Sequence, residues 1–435
     1  MKVQKLRMSL HAKAKAEPNY RFYTLWDKVC HEKTLAMALK LCRRNGGAAG
    51  VDNETFEDIN PEVEESWLGK LREELRTKAY RPLPLLRVWI PKSNGGQRPL
   101  GIPAIRDRVV QMAVLLILGP IFEADFQPQQ YGFRPGLDAK MAIRRVYFHI
   151  TQHGRREVVD ADLSDYFTTI PHGHLVKCLA RRVADGNILS VIKQWLEAPV
   201  MERKGRHWER TTEARDGKRG TPQGGVISPL LSTIYFRRFI LAWYRFGISR
   251  QLDAHVVNYA DDLVICCKPG NGQKAMTKMR ELVERIGLKV NEKKTRLARA
   301  PEESFDFLGY SFGQSYDRFG KPYFGTKPSK KAVKRLLEKI HDETSRRWFD
   351  TTVESRVIAL NRILRGWSGY FDQGPVLKSY EIARRYTERR LRRWLMKKHK
   401  RRGTGYRQYP DEILYGKLGL YKLPGRRSDL PRAKA

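Results

Sequence analysis

Apolar residues recur at helical spacing towards both ends of the chain. Leu35, Leu39 and Cys42 follow this spacing within the first 80 residues, which predicts a mainly helical N-terminal segment. Beyond residue 325, two longer apolar stripes predict amphipathic helices that carry basic residues beside the stripe. The stripes are Val333, Leu336, Leu337 and Ile340, followed by Val357, Leu360, Leu364, Trp367 and Phe371.

Between residues 81 and 315 the pattern changes to short apolar runs separated by turn residues. The segment RPLPLLRVWIPKSNGGQRPLGIP predicts a strand, a glycine-rich turn and a return strand. Residues 106–122 then predict an apolar helix that ends at Gly119-Pro120. Residues 157–163 predict another strand, and HVVNYADDLVICC predicts a hairpin with an acidic turn. Because helical segments lie between these strands, the predicted fold class is α+β.

The charge balance is strongly basic, with 84 Lys and Arg against 47 Asp and Glu and a net charge of +37. Such an excess destabilises a compact chain unless a polyanion neutralises it, so we predict nucleic-acid binding through phosphates. The alternatives are a soluble protein that is simply basic, or one that sits on anionic lipid. A third helical stretch, residues 378–402, places cations around Tyr386 and Trp394, which suits phosphate and base-stacking contacts. The helices could equally pack on each other with their basic faces solvated.

Membrane insertion and disulfide bonding are both disfavoured by the sequence. The longest apolar run, Met112 to Leu118, is far shorter than the roughly 20 residues of a spanning helix. The N-terminus lacks the apolar stretch of a secretory signal. The five cysteines form no C-x-x-C pair and are expected to be reduced, packed thiols. We therefore expect a cytoplasmic protein, held at the nucleoid through nucleic acid, with no membrane partner.

Two acidic segments, one at Asp261-Asp262 and one at Asp160 and Asp162, predict a metal site. Asp261 and Asp262 lie between apolar strands, where unpaired carboxylates are costly to bury and Mg²⁺ would neutralise them. An ordinary polar hairpin turn is the alternative. In the other acidic strand, Asp160 and Asp162 share one face and Ala161 takes the opposite one. If Asp162 lies beside Asp261, the site could hold two metal ions about 3.5–4 Å apart for phosphoryl transfer.

Motifs spread in order over roughly residues 20 to 420 resemble the reverse transcriptase encoded by bacterial group II introns, also called the intron maturase. YADD alone is a weak signal, whereas the ordered set is specific. The segments are NGGAAGVD, IPKSNGGQRPLGIPAIRDRVVQ, YGFRPG, ADLSDYFTTIPH, GTPQGGVISPLLSTIYF, YADD, GLKVNEKKTR, FDFLGY and RGWSGYF.

The resemblance implies a right-hand polymerase fold, with fingers, a palm built on an antiparallel sheet, and a helical thumb. It also implies two Mg²⁺ ions, with Mn²⁺ as an alternative. The metal-binding and catalytic residues would be Asp162, Asp261 and Asp262. The residues for the incoming dNTP would be Lys92, Arg98, Phe167, Gln223 and Gly224, with Phe167 excluding a ribose 2′-OH. Leu308 and Gly309 would form the primer grip.

These assignments have simpler alternatives, and the chain departs from the family pattern at several places. Lys92 and Arg98 could be solvated hairpin charges, Phe167 a core residue and Gln223 a turn residue. Asn291 and Lys294 also match a family motif, without a definite contact. The two departures near the first acid are Thr168, where the family has a second aspartate, and Asp165-Tyr166-Phe167, where it has Gly-Phe-Phe. After Ile382 there is no cysteine and a single histidine, His399, so we expect no H-N-H endonuclease.

The predicted organisation has four parts. They are a helical RNA-binding extension (1–80), the fingers and palm (81–315), the thumb or maturase helices (316–375) and a basic DNA- or RNA-binding region (376–435). The predicted function is RNA-directed DNA synthesis, together with binding of group II intron RNA as a maturase that promotes splicing and retrohoming. The partners would be intron RNA, an RNA template, a DNA primer or target, and dNTPs. The alternatives are a domesticated relative in DNA repair or defence, and an RNA-binding maturase active only in splicing.

Overall fold

The computed structural model of this protein describes residues 3–91, 96–317 and 319–425. The helices are α1 Val3–Ala16, α2 Trp26–Val29, α3 Glu32–Asn45, α4 Glu64–Arg76, α5 Ile105–Glu123, α6 Ala139–Thr151, α7 Tyr166–Thr169, α8 His172–Ala180, α9 Gly186–Leu196, α10 Glu213–Asp216, α11 Ser228–Arg245, α12 Ile248–Gln251, α13 Gly272–Arg285, α14 Lys330–Glu343, α15 Val353–Tyr370 and α16 Leu377–Lys398. A 3₁₀ turn, Arg346–Trp348, and a π-helical turn, Glu412–Lys417, complete the helical elements of these residues. The strands are β1 Leu85–Pro91, β2 Gln97–Ile102, β3 Glu157–Asp162, β4 Val200–Lys204, β5 His207–Thr211, β6 Ala254–Tyr259, β7 Asp262–Cys267, β8 Arg296–Arg299, β9 Phe305–Phe307, β10 Tyr310–Tyr316 and β11 Pro322–Pro328.

The described chain divides into two compact units. Of the described residues, the first contains those within 3–138, 161–263 and 273–295, and the second contains those within 139–160, 264–272 and 296–425. This division differs from the four predicted parts, whose limits stay predictions. No helix in the described ranges is long and apolar enough to cross a lipid bilayer. The five cysteines form no disulfide in that part of the chain, and four of them are buried, as expected of packed thiols.

A four-stranded sheet in the first unit has the order β2-β1-β4-β5. Strands β1 and β2 pair antiparallel, with Ile90 opposite Arg98, which confirms the predicted hairpin. Its turn, residues 92–95, includes the predicted nucleotide ligand Lys92 and lies outside the described residues. Strand β4 runs parallel to β1, and β5 returns antiparallel to β4.

A second four-stranded sheet, in the order β6-β7-β3-β8, contains the acidic strands. Strands β6 and β7 form the predicted hairpin around the acidic turn. In β3, Ala161 is buried while Asp160 and Asp162 are both partly exposed, which confirms that the two aspartates share one face. Strand β8 pairs antiparallel with β3, so that Arg296 lies opposite Asp160.

Helix α5 is buried along almost its whole length, including Met112 and Leu118. The prediction that it ends at Gly119-Pro120 was wrong, because the helix continues to Glu123. The backbone φ of proline is compatible with a helix, but inside one proline removes a hydrogen bond and its ring crowds the carbonyl of residue i−4, which costs about 3 kcal/mol or more. Since Pro120 and the nearby side chains of Leu118 and Ile121 are buried, tertiary packing offsets that cost.

The second unit contains a three-stranded sheet in the order β11-β10-β9 and the basic helices α14, α15 and α16. The predicted apolar stripes are confirmed, since Leu336 and Leu360 are both buried in one core cluster. Trp394, which was predicted to suit base stacking, is buried in the same cluster, so that prediction was wrong at this residue and the packing alternative holds. The cations beside the first stripe are exposed, among them Lys330 and Lys334. These helices therefore bury one face and present a basic one to solvent.

Candidate active site

The acidic turn between β6 and β7 is held in a defined conformation. Ala260 has a φ of 56°, which is an unusual backbone conformation for a residue with a side chain. The buried side chain of Asn258 supports it, because its Nδ2 donates to the carbonyls of Ala260 at 2.8 Å and Asp262 at 3.2 Å. Asp261 is half-buried and Asp262 is exposed. The turn thus presents two carboxylates at the start of β7.

A segment far away in sequence packs against this turn. Asn258 receives a hydrogen bond at its carbonyl from the backbone N–H of Tyr131 at 2.9 Å, and its own N–H donates to Gln129 at 2.9 Å. At the next residue, Gly132, a Cβ atom would lie 2.4 Å from the backbone nitrogen of Ala260. Only glycine therefore allows this approach. The sequence motif YGFRPG contained the residue, but nothing in it indicated which partner the glycine meets.

Asp162 ends β3, and its carboxylate has two defined partners. Its Oδ2 accepts a hydrogen bond from Nδ2 of Asn291 at 3.0 Å and lies 3.1 Å from the Lys294 ammonium. The backbone N–H of Asn291 also donates to the carbonyl of Asp162 at 2.8 Å. The structure therefore supplies the contact that the motif around Asn291 and Lys294 left undefined.

The two acidic elements belong to neighbouring strands, since β7 lies next to β3, and β3 ends at Asp162 while β7 begins at Asp262. Within the described ranges, however, no three or more His, Cys, Asp or Glu side chains form a group that could hold a metal ion. It therefore stays a prediction that Asp162, Asp261 and Asp262 bind the same metal ions.

Three of the residues predicted to bind a nucleotide, Phe167, Gln223 and Gly224, lie on or against one loop. The N–H of Gly101, on the same strand as the exposed Arg98, donates to the carbonyl of Gln223 at 2.7 Å. Gly224 has a φ of +113°, and a Cβ there would lie 2.8 Å from the carbonyl oxygen of Gly101. The loop at Gln223-Gly224 is thus held against strand β2. The loop and the strand are more than a hundred positions apart in the sequence.

Phe167 contacts the same loop from the other side. Its carbonyl accepts a hydrogen bond from the N–H of Thr221 at 2.6 Å. Its ring is half-buried and meets the rings of Tyr166 and Phe133 edge-on, with centroids 5.4 and 6.5 Å away. Burial raises the pKa of Tyr166 well above its ordinary value, and negative charge on Asp261 adds to that shift. The ring of Phe167 is therefore only partly packed. Tyr166, the residue before it, is close enough to the acidic turn to interact electrostatically with Asp261.

Two protein-family models match this chain. The family model described as reverse transcriptase (RNA-dependent DNA polymerase) matches residues 90–312, which is more than half of the chain. The chain belongs to the reverse transcriptase family. The group II intron maturase-specific domain matches residues 333–409. This protein is therefore a reverse transcriptase with a maturase domain, and its predicted α+β polymerase fold is confirmed.

Among relatives of this reverse transcriptase, protein YkfC of Escherichia coli is 34% identical, over 74% of this chain and 91% of YkfC. The group II intron-encoded protein LtrA of Lactococcus lactis is 31% identical, over 45% of this chain and 32% of LtrA. Telomerase from Candida albicans, solved with a telomeric RNA fragment, has a TM-score of 0.42 at 14% identity, over 82% of this chain and 67% of telomerase.

One buried histidine of the reverse transcriptase was missed by sequence reasoning. Nε2 of His172 donates to the carbonyl of Gly220 at 2.7 Å, while the N–H of Gly220 donates to Ile170 at 2.8 Å. Burial lowers the pKa of His172, so the neutral ring keeps its proton on Nε2. His172 therefore clamps the start of the loop that continues to Gln223. The motif TTIPH contained the histidine, but its partner is distant in sequence.

The predicted primer-grip residues lie in the second unit, at the turn between β9 and β10. Leu308 and Gly309 both have positive φ, 49° and 80°, as the favoured two-residue hairpin turn requires. The carbonyl of Leu308 accepts a hydrogen bond from the Tyr370 hydroxyl at 2.8 Å, and that of Gly309 accepts one from the N–H of Ser329 at 2.9 Å. The turn is held at both residues, and its role with a primer stays a prediction.

The donor chemistry of the acidic residues fits Mg²⁺, which prefers carboxylate oxygens. The side chain of Asp162 is 28% exposed, so water and a hydrated ion have access to it. It already attracts one cationic group, the ammonium of Lys294, whose own side chain is 60% exposed and able to move aside.

Proposed function

We propose that this reverse transcriptase extends a DNA primer on an RNA template from dNTPs, with Asp162, Asp261 and Asp262 as the ligands of two Mg²⁺ ions. The observation that supports it best is the position of the acids at the ends of neighbouring strands, β3 and β7, in a chain of this family. Mg²⁺, when bound, would make the primer 3′-OH a better nucleophile and stabilise the charge of the leaving pyrophosphate.

The surrounding residues would bind and orient the nucleotide. Arg98, exposed on β2, would contact the triphosphate through charge-assisted hydrogen bonds. Lys92 would join it from the hairpin turn. The Gln223-Gly224 loop, fastened to β2, would line the pocket, and the partly exposed ring of Phe167 would exclude a ribose 2′-OH.

The second unit would hold nucleic acid. The turn at Leu308-Gly309 would position the primer end. The exposed cations of α16, and those of α14 from Lys334 onward, lie within the match to the maturase-specific domain and would contact phosphates of folded group II intron RNA. Binding there would support splicing and retrohoming of the intron.

Primer extension on an RNA template tests the polymerase proposal. Asp261→Asn keeps the shape of the side chain but removes a metal-binding charge, so DNA synthesis should fall at least about 100-fold, the scale of losing one electrostatic contact to a transition state. Asp350→Asn, a change at an exposed aspartate outside the site, should leave synthesis unchanged. Substantial synthesis by Asp261→Asn would contradict the proposed site.

Measuring the affinity for intron RNA separates the role in DNA synthesis from the role in RNA binding. Asp261→Asn should bind a group II intron RNA as tightly as the parent protein, because RNA binding depends on the basic surface. If both synthesis and RNA binding are lost in a folded variant, the two roles share a site and the division proposed above is wrong.

A further inference from the structure

A cavity in the second unit is lined by groups that the polymerase assignment does not use. Its volume is about 1190 Å³, above the range of about 300–1,000 Å³ that is usual for small-molecule pockets. Its walls come from α6, from the β10–β11 hairpin and from the segment leading into α16. A cavity of this size suits a stretch of flexible chain better than a single small ligand.

Aromatic rings stand exposed around this cavity. Three of them, called the ring set, are Tyr316, Phe319 and Tyr323 of the hairpin, which are 63%, 78% and 38% exposed. Tyr147 of α6 also lines the cavity and stacks on Phe324 with centroids 5.7 Å apart and an angle of 29° between the rings. Grouped exposed rings mark interaction surfaces, and flat rings are the groups on which nucleic-acid bases stack.

Cations line the same cavity. The cation set consists of Arg144, Lys327 and Lys378. Nε of Arg144 donates to the side-chain oxygen of Gln373 at 3.1 Å, which holds the guanidinium at the cavity. Neither lysine forms a salt bridge with any carboxylate of the described chain. These cations are therefore available to an anionic ligand.

The two carboxylates at the cavity are already satisfied by the protein. Oδ1 of Asp317 accepts hydrogen bonds from the backbone N–H groups of Phe319 at 2.8 Å and Lys321 at 2.9 Å. Oδ2 of Asp372 lies 2.7 Å from the ammonium of Lys140. The cation set therefore makes the cavity attractive to a negatively charged ligand.

We propose that this cavity binds a single-stranded segment of RNA. Bases would stack on the ring set while phosphates contact the cation set, the combination used for binding single strands. Gln314, Ser315 and Ser379 also line the cavity and can hydrogen-bond the ribose 2′-OH, which favours RNA over DNA. Of the predicted catalytic and nucleotide-binding residues that the structure describes, none lines it, so the proposal stands apart from the metal site.

Salt dependence of binding tests the cation set. The affinity of the full chain for a short fluorescent single-stranded RNA is measured across a range of salt concentrations. For Lys327→Gln/Lys378→Gln, the slope of log affinity against log salt should become shallower by about 1.4, since each phosphate contact with a single strand contributes about 0.7. Lys268→Gln/Lys274→Gln, at two exposed lysines outside the lining, should keep the parent slope. Equal slopes in both variants would overturn the proposal.

Stacking is tested with the ring set. Tyr316→Ala/Phe319→Ala should weaken RNA binding about fivefold or more for each base that loses its stack. Phe246→Ala, which removes a ring of similar exposure (57%) outside the cavity, should not. The double variant Tyr316→Ala/Phe319→Ala and the control Phe246→Ala should both keep the parent's primer-extension rate on a short template, which would show that both proteins fold. Unchanged RNA affinity in the double variant, or equal affinity for DNA of the same sequence, would overturn the assignment to RNA.

Discussion

The ammonium of Lys294 lies 3.1 Å from Oδ2 of Asp162, the first of the predicted metal ligands. Both groups are partly exposed, and pairs of this kind contribute up to about 1 kcal/mol. A metal ion that binds Asp162 must displace this ammonium or share the carboxylate with it. In the proposed site, Lys294 would therefore compete with the metal ion for the same oxygen.

Lys294→Gln should lower the Mg²⁺ concentration that gives half-maximal primer extension by up to about fivefold, because the competing charge is removed. The measurement is the rate of extension against Mg²⁺ concentration. Lys293→Gln, at the exposed neighbouring lysine, serves as the control and should not change that concentration. An unaltered or higher Mg²⁺ requirement in Lys294→Gln would show that the ammonium does not compete.

Gly132→Ala should reduce primer extension by roughly 100-fold, because the added Cβ would lie 2.4 Å from the backbone of Ala260 and displace the acidic turn. Gly173→Ala is the matched control, since a Cβ there would meet no atom within 4 Å apart from its chain neighbours and the backbone of its own helix. Circular dichroism should show that both variants fold. Full activity of Gly132→Ala would mean that the position of the turn does not limit catalysis.

Phe167→Ala should raise the incorporation of ribonucleotides relative to deoxyribonucleotides, because it opens the space beside the sugar. The ratio of kcat/KM for an rNTP and the matching dNTP measures the effect. Phe148→Ala, at an exposed ring of the second unit, should leave that ratio unchanged. If the rNTP-to-dNTP ratio of kcat/KM is the same in Phe167→Ala as in the parent, Phe167 serves only in packing.

His172→Ala should raise the KM for dNTPs more than it lowers kcat, because the Gly220 carbonyl loses its donor and the Gln223 loop is released. Leaving that buried carbonyl unpaired should also cost about 1–3 kcal/mol of unfolding free energy. His172→Gln, which can still donate, should recover part of the KM, whereas His174→Ala, at an exposed site, should have no effect. A loss of stability without any change in KM would limit His172 to a structural role.

Asp107 should make the protein less stable as the pH rises. Burial raises the pKa of Asp107 to about 6, against the hydrogen bonds from Tyr80 and Leu83 that act in the other direction. A carboxyl with a raised pKa in the folded state favours folding while protonated, and that contribution is lost between about pH 4 and pH 6. The loss is at most about 3 kcal/mol.

Urea unfolding at pH 4.5 and pH 7 measures this dependence. The free-energy difference between the parent and Asp107→Asn should shift in favour of the variant as the pH rises, because the variant has no charge to bury. A difference that stays constant over this interval would show that Asp107 has an ordinary pKa.

Local pattern and residue identity were enough for several features of this protein. The β6–β7 hairpin around Asp261, the shared face of Asp160 and Asp162, and the apolar stripe through Leu336 all depend on periodicities within a single element. The family, too, could be recognised from motifs in the correct order. Each of these features is encoded by residues that are close together in the chain.

The tertiary structure decided which distant residues meet. It placed Asn291 and Lys294 on the carboxylate of Asp162, and Gly132 against the backbone of Ala260. It also continued α5 through Pro120, where burial of the surrounding side chains outweighs the local preference to end the helix. Contacts of this kind depend on packing between segments that periodicity cannot connect, because spacing along a chain describes one element and not its neighbours.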